Sequence, residues 1–254
     1  MPKLIVGNRT VDCKLVVFDK DGTLIDSRMV LLELAKARRK SVEKISGKED
    51  AELWERIVGV DLKSGEIDNH GPLGTAPRHD EMLIAAVALY LKGRSWDEAK
   101  QLAQKAYDDA DESMRPPYGS VLLEGVADAL MNLKNGGLVL AVASTDTHRR
   151  ILESFKTLGI AGVFTVIVGP EDVANGKPAP DMILEILKKT GCRAGETIVV
   201  GDSISDMKMG RNAKVRACIG VLTGITSRLQ LEENADFVIA SVAQLRSTLK
   251  SSPK

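Results

Sequence analysis

The sequence predicts an α/β protein in which a parallel sheet, its strands alternating with helices, is interrupted early by a helical insertion. Three observations carry this expectation. Apolar runs without alternation, such as Leu15-Val16-Val17-Phe18 and Leu138-Val139-Leu140-Ala141-Val142-Ala143, have the pattern of strands buried on both faces. From Val126 onward such runs alternate with helical stretches, the rhythm of a parallel sheet. Between about Asp26 and Met114 the pattern is helical, with few β-branched runs.

In chain order, Lys3 to Val6, the turn Gly7-Asn8-Arg9-Thr10 and Val11 to Phe18 read as a hairpin leading into the central strand. Asp19-Lys20-Asp21-Gly22-Thr23 closes that strand with two carboxylates two positions apart and a glycine that can turn the chain. The insertion holds candidate helices at Met29 to Ile45, Ala51 to Val60, His79 to Lys92 and Ser95 to Glu112. Ser95 and Glu98 have the spacing of a capping box, which satisfies free helix-start donors. Met82 to Leu91 is apolar nearly all round and is expected to be the buried spine of the insertion, with a subunit contact as the alternative. Between the second and third helices, Asn69 to His79 is rich in Gly and Pro and therefore a loop; it carries His70, Arg78 and His79.

After a Pro-rich return at Arg115 to Gly119, helices are expected at Val126 to Leu133, His148 to Leu158, Asp181 to Lys189 and Ser205 to Asn212. Strands are expected at Leu138 to Ala143, Phe164 to Val168, Thr197 to Val200, Val215 to Ile219 and Phe237 to Ile239.

Composition excludes some classes. The 254 residues carry 35 basic and 35 acidic side chains, a net charge of zero that argues against a general nucleic-acid or anionic-membrane binder. Cys13, Cys192 and Cys218 have no metal-type spacing and fit free thiols in a reducing compartment. No apolar run is long enough to span a bilayer, and the first residues lack a signal-type core, so the expected location is cytoplasmic.

Three of the predicted strands end in polar residues: Asp19 and Asp21, Ser144, and Asp202. Lys177 stands in a Gly/Pro loop between the second and third. Strand ends of a parallel sheet share one edge, so these residues can converge. Carboxylates gathered there would repel without a cation, and an all-oxygen set suits a hard ion such as Mg²⁺. A lysine and a hydroxyl beside them suit phosphoryl oxygens. The pattern points to Mg²⁺-assisted phosphoryl chemistry, with a carboxylate available as nucleophile.

On these residues the chain resembles the haloacid dehalogenase-like hydrolases, in the helical-cap branch that contains phosphoglycolate phosphatase and β-phosphoglucomutase. Four motifs match in order: Asp19-Lys20-Asp21-Gly22-Thr23, Ser144, Lys177 before Pro178, and Gly201-Asp202-Ser203-Ile204-Ser205-Asp206. The resemblance implies a Rossmann-like core from residues 1–25 and 116–254, with a helical cap at 26–115. It also implies that Asp19 attacks phosphorus, that Asp21 protonates the leaving group and then activates water, and that Ser144 and Lys177 hold the phosphoryl oxygens. Asp19, Asp202 and the backbone carbonyl of Asp21 would ligate Mg²⁺, and Asp206 would support the metal or orient Lys177. Thr145 lies beside the implied phosphate pocket, and His70, Arg78 and His79 are the cap candidates for substrate contact. One departure stands out: where many relatives carry Asn after the hydroxyl residue, this chain has Thr145 and Asp146, and Asp146 is expected to be a helix cap or salt-bridge partner.

The function so implied is hydrolysis of a small phosphorylated metabolite, such as phosphoglycolate or a sugar phosphate, through an aspartyl-phosphate. The alternatives are a sugar phosphomutase of the same branch and, on a weaker footing, a non-catalytic phosphate-binding module.

Overall fold

Every residue of Leu15–Phe18 is fully buried, and a strand pairs with each of its edges. The computed structural model describes residues 2–68, 71–76, 78–114, 121–224 and 226–248. The chain begins with β1 (Lys3–Val6), β2 (Arg9–Asp12) and β3 (Leu15–Phe18). Next come α1 (Ser27–Ser46), α2 (Lys48–Val58), β4 (Val60–Asp61), β5 (Glu66–Ile67), α3 (Pro72–Thr75), α4 (Arg78–Leu91) and α5 (Trp96–Ser113). The alternating part comprises α6 (Val126–Asn135), β6 (Val139–Ala143), α7 (His148–Thr157), β7 (Val166–Val168), α8 (Asp181–Thr190) and β8 (Thr197–Gly201). It continues through α9 (Ile204–Asn212), β9 (Ala217–Val221), α10 (Arg228–Asn234), β10 (Phe237–Ile239) and β11 (Arg246–Ser247). Two compact units result, one of Met1–Ser27 with Ser120–Lys254 and the other of Arg28–Gly119.

In the first unit six strands form a parallel sheet in the order β10-β9-β8-β3-β6-β7. Helices cover both faces, which explains the unbroken apolar strands. Val16 and Phe18 join a core with Leu130 and Leu133 of α6 and Ile151 and Phe155 of α7. Leu15 and Val17 face the other way, toward Met182, Ile183 and Ile186 of α8 and Met207 of α9. The register fixes what stands at the sheet edge. Phe18 is opposite both Val200 and Val142, so Asp19, Gly201-Asp202 and Ala143-Ser144 leave their strands at the same level. The amide of Asp19 still donates to the Val200 carbonyl at 2.9 Å, and that of Ser144 to Val168 at 3.1 Å.

The hairpin expected at the start forms, but β2 ends at Asp12 and belongs with β1 and β11 to a separate antiparallel sheet; β3 is not its continuation.

In the second unit Ala85 and Ala86 of α4 and Ala99, Ala103 and Ala106 of α5 pack with Trp54, Leu89 and Tyr107. Small residues let α4 and α5 approach closely. Several polar groups in this core are paired to one another: Trp54 Nε1 donates to the Tyr107 hydroxyl at 2.9 Å, which donates to the Glu81 carbonyl at 2.9 Å. Arg38 meets the Glu81 carboxylate at 2.5 Å. The four long helices expected here are present within a few residues of their predicted ends, and Ser95 accepts from the Glu98 amide as the capping spacing requires. Met82 to Leu91 is one-sided: Met82, Ala85, Ala86, Ala88 and Leu89 are buried, whereas Val87, Tyr90 and Leu91 are exposed.

Two small features of this unit were not apparent from periodicity. The β4–β5 hairpin spans two residues a side and is held by a turn in which the Asp61 carboxylate accepts from the amides of Lys63 and Ser64. Within the loop around Pro72, one helical turn, Pro72–Thr75, begins at proline, whose fixed φ favours that position.

Candidate active site

The turn after β3 is built by its own backbone. The amides of Leu24 and Ile25 both donate to the Lys20 carbonyl, and Gly22 adopts a φ of +78°. A Cβ on Gly22 would lie 2.6 Å from Asp202 Oδ2, so only glycine lets the two strand ends approach so closely. Thr23, fully buried, donates its hydroxyl to Asp202 Oδ1 at 3.2 Å.

Asp19, Lys177, Asp202 and Asp206 converge at this edge. Lys177 Nζ lies 2.5 Å from Asp19 Oδ1 and 2.7 Å from Asp206 Oδ1, with its side chain only 3% exposed. The loop that carries it is anchored by Asn212, which donates to the Pro178 carbonyl at 2.9 Å. Asp206 is the third residue of α9, where its other oxygen closes a capping box on Ser203: the Ser203 amide and hydroxyl donate to it at 3.1 and 2.6 Å. Both Asp206 oxygens are therefore engaged, which suits it to orienting Lys177.

Oxygens of Asp19, Asp202 and Asp206 lie within 4.8 Å of one another. Two ionised carboxylates at that separation repel by about 3 kcal/mol at an effective dielectric near 20, so one ammonium does not settle the charge. Burial pushes Asp19 up to about 7, Lys177 opposes that shift, and Asp206 and Asp21 reinforce it. Asp202 is also raised well above the ordinary carboxylate value, first by burial and then by Asp19 and Asp206. For Lys177, burial alone would lower the pKa, but Asp19 and Asp206 outweigh it and hold the ammonium charged. Raised carboxylates in a set made only of oxygens fit a hard cation, which would replace the protons.

Asp21 stands apart from this cluster. Its carboxylate meets Lys20 Nζ, 2.7 Å from both oxygens, and Lys20 also reaches Asp146 Oδ2 at 3.3 Å. Lys20 is buried and remains a cation because Asp21 and Asp146 outweigh its desolvation. Asp146 is thus a salt-bridge partner; the cap of α7 is Thr147, which accepts from the Arg150 amide. Ser144 is buried at the end of β6 and its hydroxyl accepts from the Asp146 amide at 3.1 Å, while Thr145 is exposed.

Of the candidates in the helical unit, Arg78 is committed elsewhere: it donates to Asp111 and Asp108 at 2.7 Å each. His79 is exposed. His70 lies outside the described residues.

Motif reading missed two contributors. Lys20 could have been suspected as the cation between two aspartates, although its second partner is remote in sequence. The segment after β9 gave no signal: Thr223 donates to the Gly22 carbonyl at 2.6 Å, and a Cβ on Gly224 would fall 1.8 Å from Asp202 Oδ2. Gly224→Ala must therefore displace the Asp202 carboxylate. For a cation held by Asp202, the expected result is an approximately tenfold or greater loss of affinity in calorimetric titration with Mg²⁺, with an unchanged circular dichroism spectrum. Equal affinity would mean that the segment yields and Asp202 does not.

The match to known proteins agrees with this geometry. The family model for haloacid dehalogenase-like hydrolases matches residues 13–214. A Dickeya dadantii protein named "Probable phosphatase IndB" is 30% identical, over 86% of this chain and 85% of its own. Phosphoglycolate phosphatase of Escherichia coli is 27% identical over 81% and 80%. Among solved structures, a haloacid dehalogenase-like family hydrolase of Streptococcus pneumoniae superposes with a TM-score of 0.65 at 18% identity, covering 91% of this chain and 95% of its own, a likeness of fold. With most of its length matched by the family model, and with strand-end aspartates and a lysine gathered at one sheet edge, the chain belongs to the haloacid dehalogenase-like hydrolases.

Proposed function

We propose that this phosphatase is a Mg²⁺-dependent phosphomonoesterase that hydrolyses a small phosphorylated metabolite through an aspartyl-phosphate on Asp19. The carrying observation is the Asp19 carboxylate, held by Lys177 at 2.5 Å beside the buried carboxylates of Asp202 and Asp206. Asp19 and Asp202 would hold the metal, with Asp206 steadying Lys177. When bound, Mg²⁺ supplies positive charge that offsets the phosphoryl oxygens.

An Asp19 oxygen attacks phosphorus and the ester P–O bond breaks, while Asp21 gives its proton to the departing oxygen. Water then attacks the phosphorylated Asp19, the bond between phosphorus and Asp19 breaks, and Asp21 takes a proton from that water. Ser144 and Lys177 receive the phosphoryl oxygens. The relatives named for phosphorylated carbohydrates and phosphoglycolate support a small, anionic substrate class. In this reading residues 26–115 are the cap that selects the substrate.

The test is phosphate release from a panel of small phosphomonoesters, phosphoglycolate and sugar phosphates included, with Mg²⁺ or with EDTA. Release that requires Mg²⁺ and favours one ester is expected. Isomerisation of a sugar phosphate without net release would overturn the hydrolase reading in favour of a phosphomutase.

A further inference from the structure

We propose that Lys20, braced by Asp146, is a positioning residue that fixes the Asp21 carboxylate where it can protonate the leaving oxygen. This rests on the acid role given to Asp21 above. The site contains two carboxylate–ammonium–carboxylate bridges of the same design. Lys177 joins Asp19 to Asp206, and Lys20 joins Asp21 to Asp146. The first orients the nucleophile and the second orients the acid.

Burial makes the second bridge more than a surface ion pair. The Lys20 side chain is 5% exposed, against 37% for Asp21, so the ammonium is the fixed member and the carboxylate the one that would otherwise move. The far end is anchored in turn. Asp146 accepts from the Thr147 amide at 3.0 Å, lies 3.6 Å from Arg150 Nε, and donates its own amide to the Ser144 hydroxyl. The bridge therefore ties the acid to the loop that carries the phosphate-binding hydroxyl. Without Lys20, the Asp21 and Asp146 carboxylates would face each other with no cation between them, and repulsion would turn Asp21 away.

Lys20 itself transfers no proton. Lys20 Nζ stands 2.7 Å from both Asp21 oxygens, so one oxygen keeps that contact while the other turns from Nζ to carry the proton that passes to the ester oxygen as its bond to phosphorus breaks. The same oxygen recovers a proton from water in the second step.

The experiment compares kcat/KM of wild type, Lys20→Met, Asp146→Asn and Asp21→Asn on two esters, an alkyl phosphate and p-nitrophenyl phosphate. The ratio kcat/KM reports the steps up to transfer onto Asp19. An alkoxide leaves poorly without a proton and a nitrophenolate leaves readily, so the loss of a positioned acid is selective. Lys20→Met should lose about tenfold or more on the alkyl ester and no more than about twofold on the aryl ester. Asp146→Asn, which keeps the ammonium, should show a smaller loss of the same selectivity, and it serves if Lys20→Met does not fold. Equal losses on both esters in the Lys20 and Asp146 variants, with Asp21→Asn still selective, would overturn the inference alone. An Asp21→Asn variant that loses both esters equally would overturn the acid role and this inference with it.

Discussion

Asp19→Asn is expected to cut turnover by at least about a thousandfold on every ester, with the fold intact. Asparagine has the shape of aspartate and its carbonyl oxygen can still accept from Lys177, which sits 2.5 Å from Asp19 Oδ1 in the native chain. What disappears is the anionic oxygen able to bond to phosphorus. The distinguishing measurement is the mass of the intact protein after acid quench during turnover. Wild type should carry one added phosphoryl group and Asp19→Asn none. Asp21→Asn should still accumulate the adduct from p-nitrophenyl phosphate, because the aryl group departs without a proton but water then lacks its base. Phosphorylated protein in the Asp19 variant would place the nucleophile elsewhere.

The residues expected to make these effects were legible for a physical reason. A parallel sheet aligns its strand ends, so a carboxylate directly after an unbroken apolar run has little freedom of placement. Asp19, Ser144 and Asp202 each follow such a run, and the register of β3 with β6 and β8 puts them at one level. Lys177 was legible only through its motif, since a loop lysine has no periodicity to place it. The helices of the second unit were read from their spacing, whereas β4–β5 was not, because two residues a side are too few to alternate.

Side-chain pairing escaped the sequence more thoroughly than backbone did. Arg78 looked available beside a Gly/Pro loop, but Asp108 and Asp111 are 30 and 33 residues away in sequence and only helix packing brings them to its guanidinium. Asp146 could be recognised as a charge in need of a partner, yet nothing local named Lys20 as that partner. Gly224 matters through the volume it leaves free beside Asp202, and a residue that acts by lacking a side chain leaves no chemical signature to read.

That crowding around Asp202 sets the second large effect, which appears in stability. Asp19 titrates at about 7, above its ordinary 3.8, because it is buried among carboxylates, and Asp202 moves in the same direction. A carboxylate raised in this way favours the folded state fully only below its ordinary pKa, and the contribution is lost as pH rises through about 7. Metal-free protein should therefore melt lower at pH 8 than at pH 5.5 as far as these groups decide it. Mg²⁺ binds the ionised forms, so the rise in Tm at saturating Mg²⁺ should be larger at pH 8 than at pH 5.5. Asp202→Asn removes one of the repelling charges. Without metal at pH 8 it should stabilise the fold by about 1 kcal/mol, roughly 2–4 °C in Tm, while the Mg²⁺ increment vanishes and turnover falls at least about a hundredfold. The opposite signs are the discriminating feature: a merely structural aspartate would lower Tm when replaced and leave the Mg²⁺ increment in place, and that result would show that Asp19 and Asp202 do not share a cation.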